Sequence, residues 1–207
     1  MPANILVLFY TTYGHSYTMA KAAAKGAAAS GATVVVKRVA ETLSDEILGK
    51  MHALEAAKQW ADVSIATVEE LPQYDGIILS FPTRFGGIPA QVKAFLDATG
   101  GLWYTGALTG KAAGVMTSSA SQHGGQETTI ASTHTVLLHH GFVIVGVPNT
   151  FAKMGNVDEV QGLSPYGAST IAGPTGQRQP WANELEGAEL QGNAIATVAA
   201  KLAGKWP

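Results

Sequence analysis

Three short segments concentrate residues that could do chemistry. The first, Thr11–Ser16 (TTYGHS), offers hydroxyls at Thr11, Thr12 and Ser16 around Tyr13, Gly14 and His15, with Thr18 just beyond. It lies where an apolar run gives way to an alanine-rich helical stretch. There the free N–H groups of the helix and the hydroxyls would face one point, which makes an anion site. No Lys or Arg occurs before Lys21, so the lysine of a phosphate-binding NTPase loop is missing, and so is GxGxxG. A single phosphate monoester suits such a loop; an ordinary Ser/Thr helix cap would have the same composition.

The second segment is Pro82–Pro89 (PTRFGGIP). Its paired glycines let backbone approach a flat ligand, Phe85 could flank that ligand, and Arg84 could face an anion beside Thr83. A turn with a core Phe and a surface Arg would read the same way. The third is Ser118–Gly125 (SSASQHGG), in which Ser118, Ser119, Ala120, Ser121, Gln122 and His123 form a small, polar loop. GxSxG is absent and no acid completes a triad, so the serines read as hydrogen-bond donors and His123 as a ring neighbour. A merely polar loop is the competing description. Trp103, within GGLWY, offers a stacking surface or a core side chain. His134, His139 and His140 are spaced by five and one, unlike the i, i+4 pair of a zinc helix. They point to a pocket-lining histidine, and no metal is expected.

These segments need elements to position them. Ile5–Tyr10, Thr33–Val39, Gly76–Ser80, Ala112–Thr117 and Phe142–Val147 read as strands. Thr18–Ser30, Ala90–Thr99 and Gln126–His140 read as helices, and apolar positions from Leu185 to Leu202 repeat at helical spacing. Alternating strands and helices predict an α/β fold with a doubly wound parallel sheet of five strands in one domain spanning 1–207. Ligands of such sheets sit beyond the carboxyl ends of the strands, where all three loops fall. Residues 41–72 form an insertion with an expected extra amphipathic helix. Residues 148–181 form a loop far longer than the ~12–15 residues usual in a compact domain, and its aromatics suggest that it covers something.

Composition narrows the classes further. The absence of cysteine removes disulfides, thiolate metal clusters and cysteine nucleophiles from a chain of 207 residues. A net charge of −2 argues against nucleic acid as partner. No apolar run has the ~18 residues of a membrane span, and the start has no basic n-region, so a soluble cytoplasmic protein is expected. Only 14% of residues are charged, while Ala and Gly together make 57 of 207. Such a surface suits burial between subunits of an oligomer.

Taken together, TTYGHS, PTRFGG, GGLW, SSASQHGGQE and HHG resemble the FMN-dependent NAD(P)H:quinone oxidoreductases of the WrbA type, which are flavodoxin-like. The resemblance runs from Ile5 to Leu202 and includes PYGASTIAG at Pro165–Gly173. It implies a strand order of 2-1-3-4-5 with helices on both faces. It also implies that Thr11–Ser16 hold the FMN phosphate and ribityl chain, with Tyr13 facing the nicotinamide. Thr83–Phe85 would border the flavin ring and Ser118–His123 its polar edge. Trp103 and His139 match the family's substrate contacts, and members assemble as homotetramers whose flavin sites neighbouring subunits complete. The third loop departs from the pattern by lacking a run of glycines and by one extra residue, and 41–72 is longer than in the shortest members.

The implied reaction is ping-pong, with NADH or NADPH giving a hydride to the flavin and a quinone then taking two electrons. Trp103 would stack on the quinone, and His139 would hydrogen-bond its oxygen. A flavodoxin-type one-electron carrier and a non-enzymatic flavin-binding regulator are the rival readings. The low net charge and the long covering loop weigh against a carrier. Against a regulator stands the lack of a basic recognition helix.

Overall fold

The computed structural model describes residues 2–205. Strands β1 (Asn4–Phe9), β2 (Thr33–Arg38), β3 (Gly76–Pro82), β4 (Ala112–Ser119) and β5 (Val143–Ile144) run parallel in the order β2-β1-β3-β4-β5. Helices cover both faces, which is why β3 and β4 are apolar and buried along nearly their whole length. The alternation along β1 sends Ile5, Val7 and Phe9 toward α1 (His15–Ala29) and α7 (Ala182–Leu202). It sends Leu6 and Leu8 toward α4 (Ala90–Asp97) and α6 (Gln126–His139).

Part of the alanine and glycine content has a cause inside the chain. A Cβ added at Gly26 of α1 would stand 1.8 Å from the Glu189 carbonyl oxygen, and one at Gly192 of α7 2.2 Å from that of Ala23. Only glycine allows these two backbones to come so close.

Three sequence expectations change. The strand expected over Phe142–Val147 shrinks to Val143–Ile144, and a short strand β6 (Ser169–Ile171), unforeseen in the sequence, pairs with the far end of β4 instead. Buried Gln191 joins the two halves: its Nε2 donates to the Val145 carbonyl at 3.0 Å, and its Oε1 accepts from the Ala168 N–H at 2.8 Å. Side-chain amide thus replaces strand ladder where the chain leaves the sheet. The single helix expected in 41–72 is two short ones, α2 (Asp45–Lys50) and α3 (Leu54–Ala57). His52, left-handed at φ 55°, interrupts them, and a 3₁₀ turn at Lys58–Trp60 follows. Within 148–181 lie a 3₁₀ turn at Ala152–Gly155 and β6. A 3₁₀ turn at Leu71–Gln73 and α5 (Gly100–Tyr104) are the remaining elements. Among the described residues no helix is long and apolar enough to cross a membrane.

Candidate active site

β1 delivers Thr11 and Thr12, both buried, to the carboxyl edge of the sheet. Gly14 follows at φ 99° as N-cap of α1, with no side-chain cap bond and no acidic residue in the first turn. The Ser/Thr cap that the sequence allowed is therefore absent: the start of α1 keeps its N–H groups free for an anion. Gly14 N–H donates to Thr11 Oγ1 at 3.0 Å, which folds the loop back on itself. Ser16 is fully buried, with its Oγ 3.2 Å from Ser118 Oγ and its carbonyl accepting from Ser80 Oγ at 2.8 Å. Half-exposed Tyr13 donates its hydroxyl to the Met51 carbonyl at 3.0 Å.

The second loop supplies the cation that the first lacks. The Arg84 guanidinium donates to Thr12 Oγ1 at 2.9 Å and to the Thr83 carbonyl at 3.0 Å. Phe85 is wholly exposed and left-handed at φ 53°, so the core Phe that the sequence also allowed is not what forms. Thr83 N–H donates to the Ser118 carbonyl at 2.8 Å, and the Thr83 and Thr129 hydroxyls meet at 2.7 Å. Gly125, at φ 96°, sits so close to Gly86 that a Cβ would be 2.7 Å from the Gly86 Cα.

In the third loop, the Ser121 carbonyl accepts from Ser119 Oγ at 2.7 Å and Gln126 Nε2 at 3.1 Å. Ala120, Ser121 and Gln122 are exposed, and His123 is left-handed at φ 50°. Phe85 and His123 are two of the three left-handed non-glycine residues among those described; such strain gathers at functional sites.

The covering segment closes on this edge from outside. With Gln122 and His123 it bounds a cavity of about 690 Å³, whose acids are Glu127, Asp158 and Glu159. It also reaches the first loop, since buried His15 Nε2 lies 3.1 Å from the Arg178 carbonyl and must donate to it. The fastening is a buried carboxylate that sequence reading missed. Glu184 is 0% exposed and accepts from Thr170 Oγ1 at 2.7 Å, Trp181 N–H at 2.8 Å, Gly162 N–H at 3.0 Å and Arg178 at 3.1 Å. An acid in the first turn of a helix is commonplace, so nothing in the sequence singles it out.

Trp103 and His139 are not part of this assembly. α6 starts at the carboxyl edge but runs antiparallel to the strands, and its 14 residues carry His139 about 20 Å away at ~1.5 Å per residue. Val143, just beyond, pairs with Ala112 at the beginning of β4, and Gly110 N–H donates to the Gly141 carbonyl at 2.9 Å. α5 lies at this same amino edge, with Trp103 56% and Tyr104 85% exposed, so the core-tryptophan alternative fails. His140, not His139, turns inward, its Nε2 2.9 Å from Thr99 Oγ1; burial, and then His139 next door, hold its pKa below the usual histidine value. Among the described residues no group of three metal-ligating side chains converges.

A parallel sheet with an uncapped helix N-terminus and three interlocked loops at its carboxyl edge defines a mononucleotide-binding α/β protein. Residues 4–154 match the model of the family described as NADPH-dependent FMN reductase. The chain is 55% identical over 202 residues to the NAD(P)H dehydrogenase (quinone) of Geobacter sulfurreducens, spanning 97% of this chain and all of that protein. It is also 55% identical over 200 residues to its namesake in Syntrophobacter fumaroxidans, across 96% and 98% of the two. A WrbA-like flavodoxin from Agrobacterium tumefaciens shares the fold, with a TM-score of 0.64 at 23% identity over 97% of this chain and 99% of that one. The chain belongs to the NADPH-dependent FMN reductase family and has the flavodoxin-like fold.

Proposed function

We propose that the protein reduces quinones to hydroquinones by two electrons, with NADH or NADPH as donor and FMN as resident cofactor. Its 55% identity, over nearly the whole chain, to proteins named NAD(P)H dehydrogenase (quinone) carries this reading, and the carboxyl edge fits the cofactor. The fit rests on the uncapped start of α1, the buried hydroxyls of Thr11, Thr12 and Ser16, and the Arg84 cation. When bound, FMN supplies a ring that accepts a hydride from nicotinamide and passes two electrons to a quinone.

The chain's own part is to bind and orient. Thr11–Ser16 and the α1 N–H groups hold the phosphate and ribityl chain. Thr83, Arg84 and Phe85 border the ring, and Ser118, Ser119, Ala120, Ser121, Gln122 and His123 meet its polar edge. Tyr13 faces the nicotinamide. Trp103 stacks on the quinone, and His139 hydrogen-bonds its oxygen. Standing at the amino edge, these two serve the site of a neighbouring subunit, so the working form is a homotetramer. The proposal includes a cytoplasmic location. Donor and quinone take turns at one site.

The test is NADH consumption by FMN-loaded protein with 1,4-benzoquinone. Steady turnover that needs both FMN and quinone, with parallel double-reciprocal lines, is expected; an FMN-loaded protein that leaves NADH unconsumed overturns the reading.

A further inference from the structure

We propose that the pocket between the first loop and residues 41–72 binds the adenosine end of the donor, and that Arg38 reads its 2′-phosphate. This rests on the donor reading above and gives the insertion a role. The pocket, about 300 Å³, is lined by Thr11 and Thr12 on one side and Leu48, Leu54 and Trp60 on the other. That volume is at the small end of the ~300–1,000 Å³ typical of ligand pockets, so it takes one half of a dinucleotide, not all of it. Its apolar wall suits a flat heteroaromatic base. Thr11 and Thr12 also belong to the first loop, so a nucleotide here would lie beside the segment proposed to hold the FMN phosphate.

The insertion is fixed to that loop rather than loosely draped. Tyr13 donates to the Met51 carbonyl at 3.0 Å, and a Cβ at Gly14 would lie only 3.5 Å from the Trp60 ring.

The charged groups lining the pocket are Arg38, Lys58 and the carboxylate of Glu41. Glu41 lines it, but its Oε1 already accepts from Gln91 Nε2 at 2.7 Å and from the N–H groups of Thr42 at 2.8 Å and Leu43 at 3.0 Å. Its Oε2 accepts from the Tyr10 hydroxyl at 2.9 Å. A carboxylate so occupied is a poor reader of ribose hydroxyls. Lys58 is held by Glu55. Arg38, part-buried, donates its Nε to the Val63 carbonyl at 2.8 Å, which aims the guanidinium, and among the described residues it pairs with no carboxylate. Its terminal nitrogens suit a phosphate ester.

The experiment is calorimetric titration of FMN-saturated protein with 2′,5′-ADP and with 5′-AMP. The 2′,5′-ADP should bind at least tenfold more tightly. Arg38→Ala should erase that preference, Arg38→Lys should keep part of it, and Ala57→Trp, which fills the slot, should block both nucleotides. Retained flavin absorbance shows each variant to be folded. In parallel, Arg38→Ala should lower the kcat/KM ratio of NADPH to NADH about tenfold. Equal affinities in the unmodified protein, or no binding once FMN is loaded, overturn the pocket assignment. If NADH and quinone still turn over in that case, the assignment fails alone. Arg38-dependent binding without any turnover supports the pocket and sinks the donor reading instead.

Discussion

The two ends of the sheet are built differently. At the carboxyl edge the chain closes its own site: Thr83 binds Ser118, Ser16 meets Ser118, Arg84 crosses to Thr12, and the Arg178 carbonyl accepts from His15 Nε2. At the amino edge Trp103, Tyr104 and Leu138 stand 56%, 85% and 60% exposed. α6 links the ends, with Gln126 at one and His139 at the other. In a parallel sheet with antiparallel helices, helix N-termini and their free N–H groups gather at one edge and helix C-termini at the other. One copy therefore cannot bring its own His139 to its own anion site. The subunit-sharing proposed above would need a second copy to bring it, and the exposed Trp103, Tyr104 and Leu138 are what such a contact would cover.

The largest expected effect strikes the closed edge alone. Glu184→Ala leaves part-buried Arg178 without its carboxylate partner and strips acceptors from Gly162, Trp181 and Thr170. Breaking a buried pair from one side costs about 3–5 kcal/mol. Chemical denaturation should show a loss of that order, and FMN should be released early as the covering segment lifts. A loss under about 1 kcal/mol would mean that this ion pair does not fasten the loop.

The next effect tests whether the edges cooperate between copies. His139→Ala should lower quinone turnover about a hundredfold, within the range for loss of a proton-handling side chain, while FMN binding stays unchanged. A Gly14→Val variant should lose FMN instead, because φ 99° excludes a β-branched residue. Mixed oligomers of the two should regain activity that neither has alone, since Gly14→Val subunits lend His139 to intact flavin sites. If mixing restores nothing, the site is complete within one chain.

A smaller loss belongs to Arg84→Ala. Hydrogen bonds to a charged group are worth about 1.5–3 kcal/mol, so FMN should bind roughly ten- to a hundredfold more weakly by fluorescence titration. An unchanged Kd would show that the guanidinium only braces Thr12.

Much of the carboxyl edge was legible because local rules make it. The uninterrupted run before Thr11, the β-branched Thr33–Val36 and the buried Ile77–Leu79 each specify a parallel strand from within. The loop after each strand of such a sheet has a known place. What stayed hidden depends on partners distant in sequence. β6 pairs with the end of β4, about 50 residues earlier, and Gln191, 23 residues beyond Ala168, accepts the Ala168 N–H just before it. Arg84 completes the first loop from 72 residues away. The composition of TTYGHS fitted a capped helix as well as an anion site, and only the backbone of Gly14 separated them. Even so, GGLWY and HHG were legible as residue types while their distance from the flavin loops was not, because helix direction enters only with the sheet.

The last prediction concerns the amino edge and α6. His134 and His140 each carry a buried ring nitrogen without a partner, and burial lowers both pKa values; His139 adds to this at His140. In the unfolded chain both titrate near 6.5. Between that pH and their lower folded values the unfolded state binds more protons, so unfolding becomes easier as pH falls. Glu70 titrates elsewhere: burial opposes its ionised form, but hydrogen bonds from Lys37, Thr67 and Tyr74 prevail and hold it below the usual carboxylate value. Its contribution is lost only at more acid pH. The slope of Tm as pH falls just below about 6.5 therefore belongs to the histidines. Replacing both with glutamine should flatten it, and an unchanged slope would move the weakness to another part of the molecule. The Tm of Glu184→Ala should fall with the same slope as the unmodified protein over this window, since its defect lies at the other edge and involves no histidine of α6.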